Sequence, residues 1–364
     1  MKDAILEVAG LKVSRGGVPV LDIPELAIAP GEFLSLIGPN GTGKSTLLLS
    51  LSGLLKRQGG RIRFRGNIVE SDVHLLEYRR RLAMVFQEPL LFDATVYDNV
   101  AAGLKIRGMG RRSVHPIVEE NLELFDIAHI AHRSARKISG GEAQRTSLAR
   151  AFATGPELIL LDEPFASLDP PTKESIIEDL GHAMGIKRTT AIMATHDRMD
   201  ALRLSKRIAV MDGGKIVQIG NPIDVMHHPV SEPVAAFVGI ETILKGAVKV
   251  VSGGTLQVNV NGRDVFCTGA FATGQHVTCF IRPEHVTLFP GGGRPESSAR
   301  NVFQGTVTKV QPIGLLYRVG IDCGFNLSAH VTQQAVEDLG LESGKPVVAT
   351  FKAASVHVIR TAQA

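Results

Sequence analysis

Cysteine is scarce in this chain of 364 residues: Cys267, Cys279 and Cys323 stand far apart, with no CxxC or Cys/His spacing. That argues against a disulfide framework or a thiolate metal site, and reads instead as three buried small hydrophobes in a reducing compartment. Long apolar runs are missing too. No stretch reaches the ~18 residues that a membrane-spanning helix needs, and the start MKDAILEV has acidic residues where a secretory leader needs an apolar core. The expectation is a soluble, cytoplasmic chain whose membrane role, if any, goes through a partner. Charge of one sign is the third absence. The 40 basic residues oppose 36 acidic ones and are dispersed apart from short clusters at 79–81 and 111–112. A nucleic-acid footprint is more concentrated, so no nucleic-acid partner is expected. What the chain does have is length and an apolar content of 44%, enough for two or three cores at ~100 to 200 residues each.

Up to about residue 237 the texture is α/β. Apolar, β-type runs at 33–37, 82–86, 158–161, 190–193 and 208–211 alternate with helical patterns such as 169–184, which predicts a mainly parallel sheet. Beyond residue 237, short Val/Thr-rich strands punctuated by glycine take over, and GGGRPESS (291–298) reads as a linker. The expected domains are 1–237 and 240–364. The second repeats itself: ILKGAVKV (243–250) matches VFQGTVTKV (302–310), and GQHVTCFIRPEHVTL (274–288) matches GKPVVATFKAASVHV (344–358), pairing Arg282 with Lys352. Two blocks in the same order predict two related small β-barrels, about 240–290 and 298–364.

The most informative stretch is GPNGTGKS, Gly38, Pro39, Asn40, Gly41, Thr42, Gly43, Lys44 and Ser45, followed by Thr46. It lies between an apolar run and a leucine-rich one, the strand–loop–helix setting of a GxxxxGK[ST] phosphate loop. Glycines let the backbone turn several N–H groups toward one point, and the helix that follows adds its positive end. Lys44 then offers an ammonium to the outer phosphates of a nucleotide, and the Ser45 hydroxyl suits Mg²⁺. Downstream, LILLDEP (158–164) reads as a buried parallel strand ending in two carboxylates, where open α/β sheets place their ligands. Asp162 suits the Mg²⁺ shell, and Glu163 is the candidate base for an attacking water.

ISGGEAQR (138–145) resembles the signature motif of ATP-binding cassette (ABC) ATPases, departing at Ile138, where leucine is commoner, and at Glu142, commonly glutamine. Ser139, Gly140 and Gly141 fall at a predicted helix N-terminus, a second anion site. The resemblance covers about residues 4–237 and implies a P-loop fold of the ABC type, with a helical subdomain. It further implies a homodimer in which each ATP lies between one copy's phosphate loop and the other copy's signature. It also implies roles for three more elements: Gln87 in VFQEP as a Mg²⁺ ligand that senses the transport partner, Asp169 in SLD as part of a dimer-contacting loop, and His196 in ATHD as the switch histidine near the γ-phosphate. Where the family commonly stacks adenine on an aromatic ring, this chain has Arg15, whose guanidinium plane can also stack on a base.

Paired β repeats after such an ATPase resemble the accessory (TOBE) domains of importers, with an OB-like all-β fold. SARN (298–301) and FKAASVHV (351–358) resemble the Mop-type module of molybdate and tungstate systems. A tetrahedral dianion calls for hydroxyls, N–H groups and one or two cations; Ser298, Ala299, Arg300, Thr332 and Lys352 are the candidates. The implied whole is a peripheral subunit on the cytoplasmic face of the membrane, working with permease subunits and, indirectly, with a periplasmic or extracellular solute-binding protein. Alternatives are the same role for sulfate, iron, polyamine or sugar, a non-transport ABC protein, or an oxyanion store. Against the non-transport reading, the interval between Gln87 and Ser139 is short and shows no sustained heptads.

Overall fold

The computed structural model describes residues 4–69, 72–293 and 296–361; Arg294 and Pro295 of the expected linker lie outside the described residues. The chain forms two compact units, Met1–Val225 and Met226–Ala364. The division comes earlier than the change of texture at 237, so helix Glu232–Phe237 belongs to the second unit. Its ties explain this: Glu232 pairs with Lys245, and Pro229 O accepts from His357 Nε2 at 3.0 Å. No described helix is long and apolar enough to cross a membrane.

In the first unit a six-stranded sheet runs in the order Lys215–Gly220, Arg207–Asp212, Phe33–Ile37, Thr190–Thr195, Leu158–Asp162, Leu82–Val85. All neighbours are parallel except the first pair. Leu158 to Leu161 are all buried, as a strand covered on both faces requires. Successive side chains go to opposite faces: Ile159 and Leu161 join one core with helices Val96–Ile106, Arg111–Leu124 and Gly140–Ala153, while Leu158 and Leu160 join another with helix Lys44–Leu51 and the antiparallel strands Leu6–Arg15 and Val18–Ile28. Strands 33–37, 158–162, 190–195 and 82–85 thus all point their C-terminal ends to one edge.

The second unit holds two five-stranded antiparallel sheets. Strand Thr242–Ser252 corresponds to Asn301–Ile313, and His276–Ile281 followed by a 3₁₀ turn and Thr287–Pro290 corresponds to Pro346–Phe351, a 3₁₀ turn and Val356–Arg360, so the sequence repeat is a structural one. The halves are not separate barrels, however. Val356–Arg360 pairs with His276–Ile281 in the first half's sheet, and Thr287–Pro290 pairs with Pro346–Phe351 in the second's. Each half lends its last strand to the other, and one apolar core runs from Leu244 through Cys279 and Phe303 to Phe351 and Val356. All three cysteines are buried and free.

Candidate functional site

The parallel register brings the candidate residues of the first unit together. Ile37 lies opposite Thr195 and Asp162 opposite Ala194, so the phosphate loop, Glu163 and His196 leave three adjacent strand ends. Gln87 follows the fourth by two residues. Local conformation explains the loop's composition. Gly38 sits at φ 149°, where an added Cβ would meet Met211 O at 2.3 Å, and Gly43, the left-handed residue before helix Lys44–Leu51, would press on Leu21 Cδ2 at 2.6 Å. Gly43 makes no side-chain cap, so the first amides of that helix have no capping oxygen from it.

These residues border a cleft of about 520 Å³ lined by Arg15, Asn40, Lys44, Ser45, Gln87 and Glu163, among others. The apolar Val20 and Ala166 and the imidazole of His196 share the lining; Val20 and Ala166 carry no sequence signal. Lys44 is buried, and its Nζ donates to the loop's own carbonyls, Gly38 O at 2.7 Å and Pro39 O at 3.0 Å. Burial holds its pKa below the usual lysine range, with Glu163 and Asp162 pulling the other way. Thr42 Oγ1 donates to Pro39 O at 2.9 Å, which stiffens the loop. Ser45 Oγ donates to Asp162 Oδ1 at 2.8 Å. Burial pushes Asp162 above the usual carboxylate range; the Ser45 bond opposes the rise, and the Glu163 charge adds to it.

Glu163 is held in an unusual backbone state. Its φ is 47°, left-handed for a residue with a Cβ, and its amide donates to Ala194 O at 2.9 Å. Its carboxylate accepts from His196 Nδ1 at 3.0 Å. A carboxylate and an imidazole therefore face each other in the cleft that Lys44 also lines.

The signature segment is not in this cleft. Ser139 caps helix Gly140–Ala153 in a reciprocal box with Glu142: the Glu142 amide donates to Ser139 Oγ at 3.2 Å, and the Ser139 amide to Glu142 Oε2 at 2.7 Å. That second bond lowers the Glu142 pKa. The departure at Glu142 thus keeps a working cap, and Ser139, Gly140 and Gly141 stand outside the cleft lining. Asp169 caps helix Pro170–Lys187 by accepting from Thr172 N at 3.2 Å, also outside. Arg15 reaches the lining and is exposed.

In the second unit the register pairs Asn301 with Phe351, so Arg300 and Lys352 each lie one residue beyond this last pair, at the same end of the sheet and both exposed, with Ser298 and Ala299 preceding Arg300 in the chain. Thr332 does not join them. It pairs with Leu316, which pairs with Ile313, so it lies toward the other end of strand Asn301–Ile313. Its hydroxyl is used to cap helix Gln333–Leu339, accepting from Ala335 N at 3.2 Å.

A glycine-bent phosphate loop facing two carboxylates and a histidine at parallel strand ends belongs to the P-loop nucleotide-hydrolysing class. Comparisons with known proteins narrow it. A family model described as ABC transporter matches residues 21–166, and one described as TOBE domain matches residues 297–358. The chain is 37% identical over 335 residues to the molybdate/tungstate import ATP-binding protein WtpC of Pyrococcus horikoshii, covering 91% of this chain and 93% of that one. It is 38% identical over 279 residues to the spermidine/putrescine import ATP-binding protein PotA of Pseudomonas fluorescens, covering 75% and 76%. Among solved structures, cbiO1 of Clostridium perfringens, described as part of the ABC transporter complex cbiONQ, superposes with a TM-score of 0.59 at 30% identity over 65% of this chain and 95% of that one. The chain belongs to the ABC transporter family as an import ATPase that binds ATP.

Proposed function

We propose that this chain powers import of molybdate or tungstate, as a homodimer on the cytoplasmic face of the membrane against separate permease subunits. The observation that carries the catalytic reading is the 3.0 Å contact between Glu163 and His196 beside buried Lys44. Lys44 exchanges its two loop carbonyls for the outer phosphates of ATP, Glu163 accepts the proton of the attacking water, and His196 orients that carboxylate near the γ-phosphate. A Mg²⁺ ion fits the donor set: Ser45 Oγ and Asp162 Oδ1 already adjoin at 2.8 Å, Gln87 lines the same cleft, and all three offer the oxygens a hard cation prefers. Bound there, the ion would neutralise developing phosphate charge.

Ser139, Gly140, Gly141 and the loop ending at Asp169 then act on the ATP of the partner copy, which accounts for their absence from the cleft of a single chain. The cargo reading is supported by the WtpC match, whose 335 residues are more than the first unit holds, and by Arg300 and Lys352 at the same sheet end, two cations suited to a dianion. The similar identity of the spermidine/putrescine protein favours a second reading, a polyamine cargo. Calorimetry of the full chain with molybdate, tungstate, sulfate and spermidine separates the two. Micromolar or tighter molybdate or tungstate binding that weakens about tenfold or more in Arg300→Ala or Lys352→Ala is expected; preference for sulfate, or no anion binding, removes this support.

A further inference from the structure

A cluster built around Lys173, to which the sequence motifs assign no role, joins the start of helix Pro170–Lys187 to the segment after His196. Lys173, in the first turn of that helix, places Nζ 2.5 Å from Asp197 Oδ2 and 2.7 Å from Asp200 Oδ1. Asp197 follows His196 directly and is held from its other side as well. Its Oδ1 accepts from the amides of Met199 and Asp200 at 2.8 and 3.4 Å, capping helix Arg198–Leu204, and its amide donates to Thr195 Oγ1 at 3.0 Å. Asp197, the residue after His196, is thus tied both to helix Arg198–Leu204 and to Lys173. Asp200 is only 3% exposed, so Lys173 is the cation that makes its burial tolerable.

The same residues wall a second cavity of about 420 Å³, lined by Leu168, Lys173, Asp197 and Asp200 together with Glu163 and His196, which also border the nucleotide cleft. The Glu163–His196 pair is thus flanked on one side by the nucleotide cleft and on the other by a wall whose cross-link is Lys173.

We propose that Lys173 is a positioning residue: it ties the turn bearing His196 to the helix capped by Asp169, so that the placement of the 167–169 loop is delivered to the Glu163–His196 pair. This rests on the roles proposed above for Glu163 and His196. A lysine here cross-links two elements with one ammonium shared between two carboxylates, and no direct contact to nucleotide is required of it.

The test uses the full chain as Lys173→Met, Lys173→Arg and the double variant Lys173→Met/Asp200→Asn, which removes the cross-link without leaving Asp200 as a buried unpaired charge. ATP turnover, affinity for a fluorescent ATP analogue and thermal unfolding are measured for each. The expected result is a kcat about 10- to 100-fold lower in Lys173→Met, as a small misplacement of catalytic groups produces. Analogue affinity stays within about twofold of the parent. Lys173→Arg recovers most of kcat, and the double variant regains thermal stability without regaining kcat. A double variant with parental stability and parental kcat overturns the proposal, since the ion pair is then structural only. Glu163→Gln is run alongside: parental turnover in that variant removes the reading of Glu163 itself, whereas a dead Glu163→Gln beside fully active Lys173 variants removes only the link.

Discussion

The two units treat charge in opposite ways. In the first, Asp162 and Glu163 stand at the end of a buried parallel strand and Lys44 at the start of the helix after the phosphate loop, where burial shifts the pKa of Lys44 and Asp162 and strengthens their mutual fields. In the second, the buried polar side chains are uncharged, Thr242, Thr278, Asn301 and Thr350 among mostly apolar neighbours, and the candidate cations Arg300 and Lys352 stand exposed at a sheet end. A charge that must act on a phosphate is built into the scaffold; a charge that meets an anion at the surface is only hung on it. Substitutions should therefore cost activity in the first unit and stability in the second.

The sharpest contrast is expected at Glu163. Glu163→Gln fits the same space but cannot accept the water's proton, so turnover should fall ~10²- to 10⁴-fold, about 3 to 5 kcal/mol of barrier, while nucleotide affinity is kept. Lys44→Ala should instead lose affinity. Steady-state hydrolysis with equilibrium nucleotide titration checks both, and parental turnover in Glu163→Gln would count against the assignment. In the second unit Phe351, buried and stacked on Phe303 at 5.8 Å, lies in the core common to both halves. Phe351→Ala should cost ~3 to 5 kcal/mol, and calorimetry should show the second unit unfolding in one lowered transition. Two independent transitions, one unmoved, would mean that the exchanged strands do not couple the halves.

The smallest effect concerns pH. Burial lowers the pKa of His357, the Pro229 carbonyl partly restores it, and His228 lowers it further. With the folded value below 6.5 and the unfolded value near it, the unfolded chain binds the extra proton first. Stability from this group is complete above about pH 6.5 and is lost as pH falls toward the folded value. Thermal unfolding at pH 7.5 and 5.5 should therefore show a drop that His357→Gln reduces; an equal drop in the variant would assign it to other groups.

Legibility in the sequence followed the same division. The phosphate loop, the strand ending at Asp162 and the helix capped by Asp169 are contiguous segments whose chemistry is fixed by local conformation, and each lies where its residues indicate. The second unit was legible as a repeat but not as an exchange, because pairing Val356–Arg360 with His276–Ile281 is a choice among strands of nearly equal pattern. For the same reason Thr332 could be grouped with Arg300 on residue type, although register carries it to the far end of the sheet. Lys173 escaped notice because an ion pair across 24 positions leaves no spacing signal, even though Asp197 directly follows the histidine in ATHD.

The central claim is that ATP is hydrolysed between two copies, with Ser139 of one completing the cleft of the other. Full-length Lys44→Ala and Ser139→Arg chains, each inactive alone, are mixed with the Lys44→Ala chain in excess, and ATP turnover is measured per Ser139→Arg chain. The mixed dimer holds one intact composite site and one broken twice, so turnover should reappear and saturate as the excess grows. Mixtures that form heterodimers yet stay at the level of the separate variants, together with an ATP-state crosslink placing Ser139 far from both nucleotides, would contradict the account.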